Sequence, residues 1–517
     1  MIKIAENIKL SIGRPESDLL AIAKSRLGAP VKYFKIVKKS LDARDKRNIF
    51  WLYTIAFSSS PEREDEPCFS RGDESRKIAV VGSGPAGLFC AVRLIQHGFK
   101  PVIIERGEKV EERRTSCLEF FNRKKLNVES NVQFGEGGAG AFSDGKLNTR
   151  TKDGLNRDVL KLFHAFGADE DVLYLNKPHV GSDRLYTVLQ NARAFITERG
   201  GEYLFNTKLI GLKSEKEELK SLILADVCTN REWEMPVDAA VLAIGHSARD
   251  TFEMLAKSGV RMEAKDFAIG VRIEHWAADI GYAQYGEKYY LLPAADYQLV
   301  SHAHERTVFT FCMCPGGVVI PAASEQGGVV VNGMSLRARD GVNSNSALMV
   351  QMRREDFGAS DLFAGVRFQR GIERKAFEYG GGNYCAPVQL FGDFAADRQS
   401  SRFNGVLPTY AAGTAFAPLG EVLPPVAVQA LKAAIPDMGK RLKRFDSPDA
   451  VLSGVETRFS SPVKIVRDEK GESVGMKNLY PCGEGSGYSG GITSSAADGL
   501  KVAGVLAERF ALQKMTK

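Results

Sequence analysis

The chain has 517 residues, of which 44% are hydrophobic and 26% charged, with a formal net charge of +7. Such a composition is ordinary for a globular protein, and the length suggests about three domains. The start, MIKIAENIKL, has scattered charges in place of the apolar stretch of a secretory signal, and no run approaches the ~20 apolar residues that span a bilayer. Eight cysteines are dispersed without a C-x-x-C pair, as in reduced thiols. These features exclude disulfide-stapled and membrane-spanning classes and predict a cytoplasmic protein.

The whole positive excess lies in residues 1–60, which hold 12 Lys/Arg and 5 Asp/Glu. A helical pattern over residues 16–27, followed by the runs VKYFKIVKKS and IFWLYTIAF, predicts a small basic α+β unit here. A basic face can attract RNA, acidic proteins or anionic lipid. We favour a solvated surface because no aromatic-rich RNA-binding signature accompanies the charge. Residues 61–76 are polar and predict a linker.

Residues 77–105 read KIAVVGSGPAGLFCAVRLIQHGFKPVIIE, which is an apolar strand, a G-x-G-x-x-G turn, a helix and a second strand. In this pattern the first glycine makes a tight turn, the second admits a pyrophosphate and the third lets helix and strand pack. The proline after the second glycine suits the first turn of a helix, whose N-terminus attracts phosphate. The closing acid can accept hydrogen bonds from a ribose. The residues assigned to a dinucleotide here are Gly82, Ser83, Gly84, Pro85, Ala86, Gly87, Glu105 and Arg106.

The pattern after this motif divides the rest of the chain into three parts. Residues 77–255 continue as a nucleotide-binding domain, with a helical pattern from residue 183 and strand-like runs that end in VDAAVLAIG. Residues 256–450 change to strand-like runs such as TVFTFCM and GVVVNGM, and predict an α+β substrate domain. Residues 451–517 return to strand, glycine loop and helix, and are expected to rejoin the first domain. We find no fixed-period repeat.

A second set of glycines favours FAD over NAD. The strand ending at Gly245, and the Gly483-Glu484 turn ahead of a late helix, are typical of FAD sites. Glu484 would accept hydrogen bonds from ribityl hydroxyls. The helix following Gly490, Gly491 and Ile492 would bring its positive N-terminus to the flavin pyrimidine ring.

These stretches resemble a family of bacterial and plastid FAD-dependent dehydrogenases in the glutathione reductase-like superfamily. The resemblance also covers NVQFGEGGAGAFSDGKLNTR, GGGNYCAPVQLFGDF and LYPCGEGSGYSGGITSSAADGLKVA, and samples most of residues 30–510. It implies bound FAD, a Rossmann-like FAD-binding domain of the glutathione reductase type, an inserted α+β substrate domain and a small N-terminal ferredoxin-like domain. Two positions depart from the common pattern: Ala243-Ile244-Gly245 replaces Ala-Thr-Gly, and Glu484 replaces Asp.

A further G-x-G-x-x-G begins at Gly135 and includes Gly137 and Gly138. The residues after it are not helical in pattern, so no helix N-terminus is expected to receive a pyrophosphate there. We interpret it as a loop along the flavin or its phosphates, with a plain surface turn as the alternative. Lys146 in the same loop could place a cation near the flavin or be solvated.

Candidates for chemistry over the flavin are few. His246 could be a general acid or base near neutral pH, and Arg458 could bind an anionic substrate or pair at the surface. We interpret Cys312 and Cys314 as structural thiols, since two residues of an extended strand span about 6.6 Å, at the upper limit for a disulfide. Contact with substrate and redox chemistry stay as alternatives.

The pair His302 and His304 has a metal-binding spacing on a predicted strand, but no third ligand stands out, so no metal is predicted.

The sequence therefore predicts an FAD-dependent oxidoreductase that moves a hydride through flavin N5, with a small-molecule substrate and NAD(P)H as a candidate donor. The alternative is a flavin-containing module that binds RNA or protein through residues 1–60. No second nucleotide-binding domain is present in the pattern, so NAD(P)H would need a groove without a glycine fingerprint.

Overall fold

The computed structural model describes residues 2–62, 69, 72–149, 151–358 and 361–515. Most of the predicted linker, residues 63–68 and 70–71, lies outside the described residues. Within the described part no helix is long and apolar enough to cross a bilayer.

Strands and helices alternate irregularly along the chain. The strands are β1 Lys3–Ser11, β2 Tyr33–Asp42, β3 Phe50–Ser58, β4 Ile78–Val81, β5 Val102–Ile104, β6 Glu202–Leu204, β7 Thr207–Glu215, β8 Glu218–Asp226, β9 Glu232–Pro236, β10 Ala239–Leu242, β11 Met262–Ala264, β12 Phe267–Trp276, β13 Val300–Ser301, β14 Val308–Cys314, β15 Val318–Pro321, β16 Val331–Met334, β17 Asn343–Met352, β18 Ala386–Leu390, β19 Thr414–Phe416, β20 Val451–Glu456, β21 Val463–Ile465 and β22 Leu479–Pro481. The helices are α1 Ser17–Leu27, α2 Pro85–Gln96, α3 Val110–Arg123, α4 Leu155–Ala165, α5 Ser182–Thr197, α6 Arg249–Lys257, α7 Ala277–Tyr285, α8 Arg354–Phe357, α9 Ala364–Tyr379, α10 Phe391–Ala395, α11 Leu419–Val422, α12 Pro425–Gly439 and α13 Ile492–Met515.

The N-terminal unit is a three-stranded antiparallel sheet in the order β1-β3-β2, covered by α1. Leu19 and Ala23 of α1 pack with Ile55 and Phe57 of β3 in a small core. The strands and the helix agree with the α+β pattern expected here, whereas the bounds of a separate domain and its ferredoxin-like assignment stay predictions. Strand β2 also joins the next part of the chain, because Lys39 exchanges backbone hydrogen bonds with residues 174 and 176.

The first large core surrounds a parallel sheet of order β22-β10-β4-β5-β6. Every residue of β4 and β10 is buried, as expected for parallel strands covered on both faces. Val80 and Val241 face the core shared with α2 and α13, whereas Val81 and Leu242 face the antiparallel meander β7-β8-β9. β22 pairs with β10, so the expected return of the C-terminal segment to this sheet is confirmed.

The second large core lies against a seven-stranded sheet of order β13-β14-β17-β12-β20-β18-β19. Its pairs are antiparallel except β18 with β19. Helices such as α9 and α12 pack against this sheet and share its hydrophobic core, so this part of the chain has an α+β architecture. It places the ends of β14 and β20 beside the glycine-rich turns of the first sheet.

Candidate functional site

The turn between β4 and α2 has the geometry that its glycines predict. Gly82 has φ +99°, in the left-handed region, and a Cβ there would lie 2.3 Å from the Ala243 carbonyl oxygen. A Cβ on Gly87 would lie 1.9 Å from the Gly82 carbonyl oxygen. The tight turn and the close helix contact are therefore confirmed as the roles of these two glycines.

Gly84 differs from Gly82 and Gly87 because a side chain there would not clash with neighbouring protein atoms. A Cβ there would meet only the Gly138 Cα, at 3.7 Å. Gly84 is also the N-cap of α2, and no side chain caps that end. The first amide N–H groups of α2 therefore point, without a side-chain partner, into a space bounded by bare backbone, which is an anion-binding arrangement.

The second glycine run faces the first one across this space. The Gly137 amide donates to the Ser83 carbonyl at 3.0 Å, and a Cβ on Gly140 would lie 3.1 Å from Ile492 at the start of α13. After Gly138 the chain makes only a four-residue 3-10 turn, Ala139–Phe142, so no long helix begins there. This loop thus lies between the two glycine motifs, as a loop beside a cofactor requires.

Arg113 holds that loop in place, a role that sequence reasoning missed. Its fully buried guanidinium donates to the carbonyls of five loop residues: Asn131, Val132, Gly135, Glu136 and Gly138. Five N–H donors in a rigid fork suit a cage of carbonyls. An arginine in the charged stretch EERRTSC of α3 gives no sequence signal of this, since its partners lie 18 to 25 residues away.

Glu105 is buried and accepts four hydrogen bonds from the chain. One carboxylate oxygen accepts from the Ser83 amide and hydroxyl, at 2.9 and 2.8 Å, and the other accepts from the Gly107 and Gly135 amides, both at 3.0 Å. Glu105 therefore ties both glycine turns together. A ribose would have to replace one of these donors, so the predicted ribose contact stays a prediction.

Arg106 follows Glu105 but its charge is already engaged. It pairs with Glu129 and Asp250 and stacks 4.1 Å from the Phe134 ring centroid. These contacts hold Arg106 against the segment that contains Glu129 and Phe134. The predicted contact of Arg106 with a nucleotide stays a prediction.

The C-terminal glycines complete the site from the other side. A Cβ on Gly485 would lie 2.4 Å from the Gly245 carbonyl oxygen, so the two predicted flavin-side turns touch. Gly490 and Gly491 are exposed, and a Cβ on either would meet nothing within 4 Å. The Thr493 hydroxyl in the first turn of α13 donates to the Leu147 carbonyl at 2.7 Å. The predicted motifs therefore converge around one space.

Glu484 in this turn has a carboxyl group that is available to accept hydrogen bonds. Burial raises its pKa to about 8, partly offset by the positive charge of Lys265. No hydrogen bond to its side chain is formed by the residues that the structure describes. Glu484 is half-buried and its carboxyl can still accept hydrogen bonds, which suits a hydroxyl-bearing ligand, and the ribityl chain of FAD provides such donors.

We expect FAD to bind more tightly as the pH rises toward about 8 if Glu484 accepts those hydroxyls. The ligand would stabilise the carboxylate, so binding would release the proton that the raised pKa retains, and affinity would gain at most about tenfold per pH unit below that value. Glu484→Gln should bind FAD more weakly with a flat pH profile. Titration of the apoprotein with FAD at about pH 6 and about pH 8 measures both slopes. Equal slopes in the two proteins would contradict this role.

Lys146 lies in the site but is not a solvated cation. It is half-buried, donates to the Met313 carbonyl and lies 3.3 Å from Asp144. Asp144 is also paired with Arg339, and these two cations lower the pKa of the Asp144 carboxyl. Lys146 thus links the glycine loop to the end of β14.

His246 and Arg458 do not match the expectations for them. Burial beside Arg458 and Arg249 lowers the pKa of His246 to about 3, so the ring is neutral at pH 7 and does not titrate there as predicted. Arg458 is buried and holds Glu373 through two hydrogen bonds, at 2.8 and 3.0 Å. It is neither a surface pair nor a free anion-binding cation, because Arg458 and Arg249 share two carboxylates, Glu373 and Glu325.

His302 and His304 lie in the loop between β13 and β14, so the strand predicted for them is wrong. Among the described residues, no group of three or more His, Cys, Asp or Glu side chains is placed to hold a metal ion.

Comparison with known proteins places these observations in a family. Residues 266–459 match the model of the FAD-dependent protein, C-terminal domain-like family, and residues 80–110 match an NAD(P)-binding Rossmann-like domain. The chain is 46% identical over 501 residues to an uncharacterized protein of Clostridium beijerinckii, covering 93% of each chain.

Solved structures resemble the chain more distantly. A geranylgeranyl bacteriochlorophyll reductase-like protein from Thermoplasma acidophilum is 10% identical, with a TM-score of 0.39 over 84% of this chain and 79% of that one. A triple mutant of the flavin-dependent brominase Bmp2 is 12% identical, with a TM-score of 0.39 over 85% of this chain and 81% of that one.

The residues present fit FAD. The backbone at Gly84 and the first N–H groups of α2 can bind its pyrophosphate, and the Glu484 carboxyl can accept hydrogen bonds from its hydroxyls. Together with the matched domains, these features identify a flavoprotein of the oxidoreductase type. The chain belongs to the same family as the Clostridium beijerinckii protein, and its cofactor is FAD.

Proposed function

We propose that this protein is an FAD-dependent dehydrogenase or reductase that transfers a hydride through flavin N5 and accepts electrons from NADH or NADPH. The observation that carries the proposal is the convergence of the turns at Gly84, Gly138 and Gly485 beside the start of α13. Bound FAD supplies two-electron chemistry at N5. The chain supplies the binding, the orientation and the charges around it.

Each glycine motif has its own task in this proposal. The N-terminus of α2 and the backbone at Gly84 and Gly138 bind the pyrophosphate. Glu484 accepts from the ribityl hydroxyls, and the N-terminus of α13 after Gly491 stabilises negative charge at the pyrimidine end of the ring. The cofactor contacts of Ser83, Pro85, Ala86, Arg106, Gly135, Gly137, Gly245, Gly483, Gly490 and Ile492 are proposed on the same basis.

The proposed domains follow the two large sheets. Residues 77–255 and 451–517 form the FAD-binding domain, since β22 completes the parallel sheet and α13 packs on α2. The boundary at residue 451 departs from the sheets, because β20, Val451–Glu456, pairs with β12 and β18 in the seven-stranded sheet. Residues 256–450 form the substrate domain around most of the seven-stranded sheet. The parallel sheet with its β7-β8-β9 meander supports a glutathione reductase type of arrangement.

An open groove next to Glu484 supports an anionic electron donor. It encloses about 730 Å³ and is lined by four cations and three carboxylates: Lys265, Arg353, Arg354, Lys464, Glu263, Asp266 and Glu355. Gly487 also lines it, and Lys265 donates to the Gly487 carbonyl at 3.2 Å. A nicotinamide dinucleotide carries a diphosphate, and such a groove offers it cations without a glycine fingerprint.

Anaerobic addition of NADH or NADPH is expected to bleach the visible absorbance of the bound flavin. Lys464→Gln should raise the half-saturating concentration of the donor about tenfold, since one charge-assisted hydrogen bond contributes about 1.5 kcal/mol. Lys470 is exposed and lies outside the groove lining, so Lys470→Gln is the matched control. Its half-saturating donor concentration should equal that of wild type. A flavin that neither nucleotide bleaches would contradict NAD(P)H as the donor.

The alternative RNA- or protein-binding module is not favoured. Part of the basic unit is engaged internally, because Lys39 pairs with Glu16 at 2.5 Å and stacks over the Trp51 ring at 4.6 Å. We therefore propose no recognition role for residues 1–60.

A further inference from the structure

The end of β14 departs from the extended strand on which the interpretation of its two cysteines depends. The pairing of β14 with β17 is broken between Phe311 and Cys314, and Cys312 has φ +41°, in the left-handed region. The Cys314 thiol donates to the Cys312 carbonyl at 3.2 Å, and the two side chains lie near enough to interact electrostatically. The backbone at Cys312 is therefore not extended, and the spacing argument against a disulfide, which assumes an extended strand, does not apply.

Cations surround this pair. Arg272 donates to the Cys312 carbonyl at 2.9 Å and lies 4.0 Å from the Cys314 sulfur, while Lys146 donates to the Met313 carbonyl. The hydrogen bond from Cys314, together with Arg272 and Lys146, lowers the pKa of the Cys312 thiol, whereas the pKa of Cys314 is raised. One thiolate and one adjacent thiol are the form in which a dithiol reacts.

The pair borders the cofactor space. Lys146 connects Met313 to the loop whose Leu147 carbonyl binds the first turn of α13. Cys312 is also close enough to the Gly483-Glu484 turn to raise the pKa of Glu484 electrostatically. Cys312 is half-buried and Cys314 buried, so Cys312 is the more accessible of the two thiols.

We propose that Cys312 and Cys314 form a redox pair that alternates between a dithiol and a disulfide and exchanges two electrons with the bound FAD. Oxidation of the thiolate and the adjacent thiol breaks one S–H bond, forms one S–S bond and releases two electrons and one proton, which pass to the oxidised flavin. The reverse step takes two electrons and one proton back from the reduced cofactor. The proposal rests on the proposed oxidoreductase function and adds a second electron store on the chain itself.

Thiol trapping in the wild-type holoprotein tests the pair without any turnover. Protein equilibrated in air or in excess dithiothreitol is denatured in N-ethylmaleimide and digested with trypsin, which places both cysteines in the peptide 307–337. We expect this peptide to be unlabelled and lighter by two hydrogens after air, and doubly labelled after dithiothreitol. Full labelling of both cysteines under both conditions would overturn the pair.

Anaerobic dithionite titration tests the exchange with FAD. Wild type should take up about twice as many electrons per FAD as Cys312→Ser or Cys314→Ala, since disulfide and flavin each accept two. The exposed Cys228 provides the matched control, and Cys228→Ser should titrate as wild type. Equal uptake in wild type and both variants would overturn the exchange.

These results separate the two proposals. Failure of NADH and NADPH to bleach the flavin would count against the proposed donor, whereas the thiol labelling and the electron count would still report on the pair.

Discussion

Replacing Arg272 with methionine is expected to lower the free energy of unfolding by about 3–5 kcal/mol, because it leaves a buried carboxylate without its partner. Arg272 is fully buried on β12 and holds Glu456 of β20 through two hydrogen bonds, at 2.6 and 3.2 Å. It also donates to Asn345 of β17 and Asn332 of β16. With its bond to the Cys312 carbonyl of β14, one guanidinium thus ties five strands together.

The cost of Arg272→Met should grow with pH. Burial already raises the pKa of Glu456 to about 7 against the opposing effect of Arg272, and loss of the arginine would raise it further. A carboxyl with a raised folded-state pKa is destabilising when ionised, so stability falls as the pH rises above the unfolded value of about 4.3. Urea unfolding should therefore show a smaller deficit at about pH 5 than at about pH 8.

Two controls isolate the buried charge. Adding Glu456→Gln to Arg272→Met should recover much of the loss, because a neutral amide costs less to bury than a carboxylate. Arg367→Met removes an exposed pair with Asp361 and should change stability by less than about 1 kcal/mol. A loss as small as this in Arg272→Met, with no pH dependence, would contradict the role assigned to Arg272.

Gly84→Val is expected to abolish FAD binding while leaving the fold intact. The backbone at Gly84 has φ −67°, which valine adopts readily, and a Cβ there is 3.7 Å from its nearest protein atom. The added methyl groups would instead occupy the space in which the pyrophosphate must approach the helix N-terminus. Gly504→Val in α13, where a Cβ meets nothing within 4 Å, is the matched control and should retain FAD.

The motifs that carry strong local constraints could be predicted from the sequence. Gly82 and Gly87 are required by contacts within one strand-turn-helix unit, so their spacing alone reveals their steric roles. The return of β22 to the first sheet was also predictable, since a lone strand, glycine loop and helix need a partner sheet.

Residues whose roles depend on distant partners could not be predicted. Arg458 has a polar sequence context, yet the fold buries it against Glu373, 85 residues away. His246 lies beside two arginines that no local pattern reveals, and they help to keep its ring neutral. Cys312 and Cys314 do lie in a strand, β14, as predicted, but no local pattern revealed the irregularity at Cys312 in its pairing with β17.

The FAD content of the purified protein tests the central claim most directly. Heat-released FAD should be equimolar with the protein in wild type, and Gly84→Val should release none. Gly84→Val and wild type stripped of FAD should unfold at similar urea concentrations, since bound FAD itself stabilises the folded state. A colourless wild-type protein that cannot be reconstituted with FAD, or a Gly84→Val protein that retains it, would contradict the site described around α2 and α13.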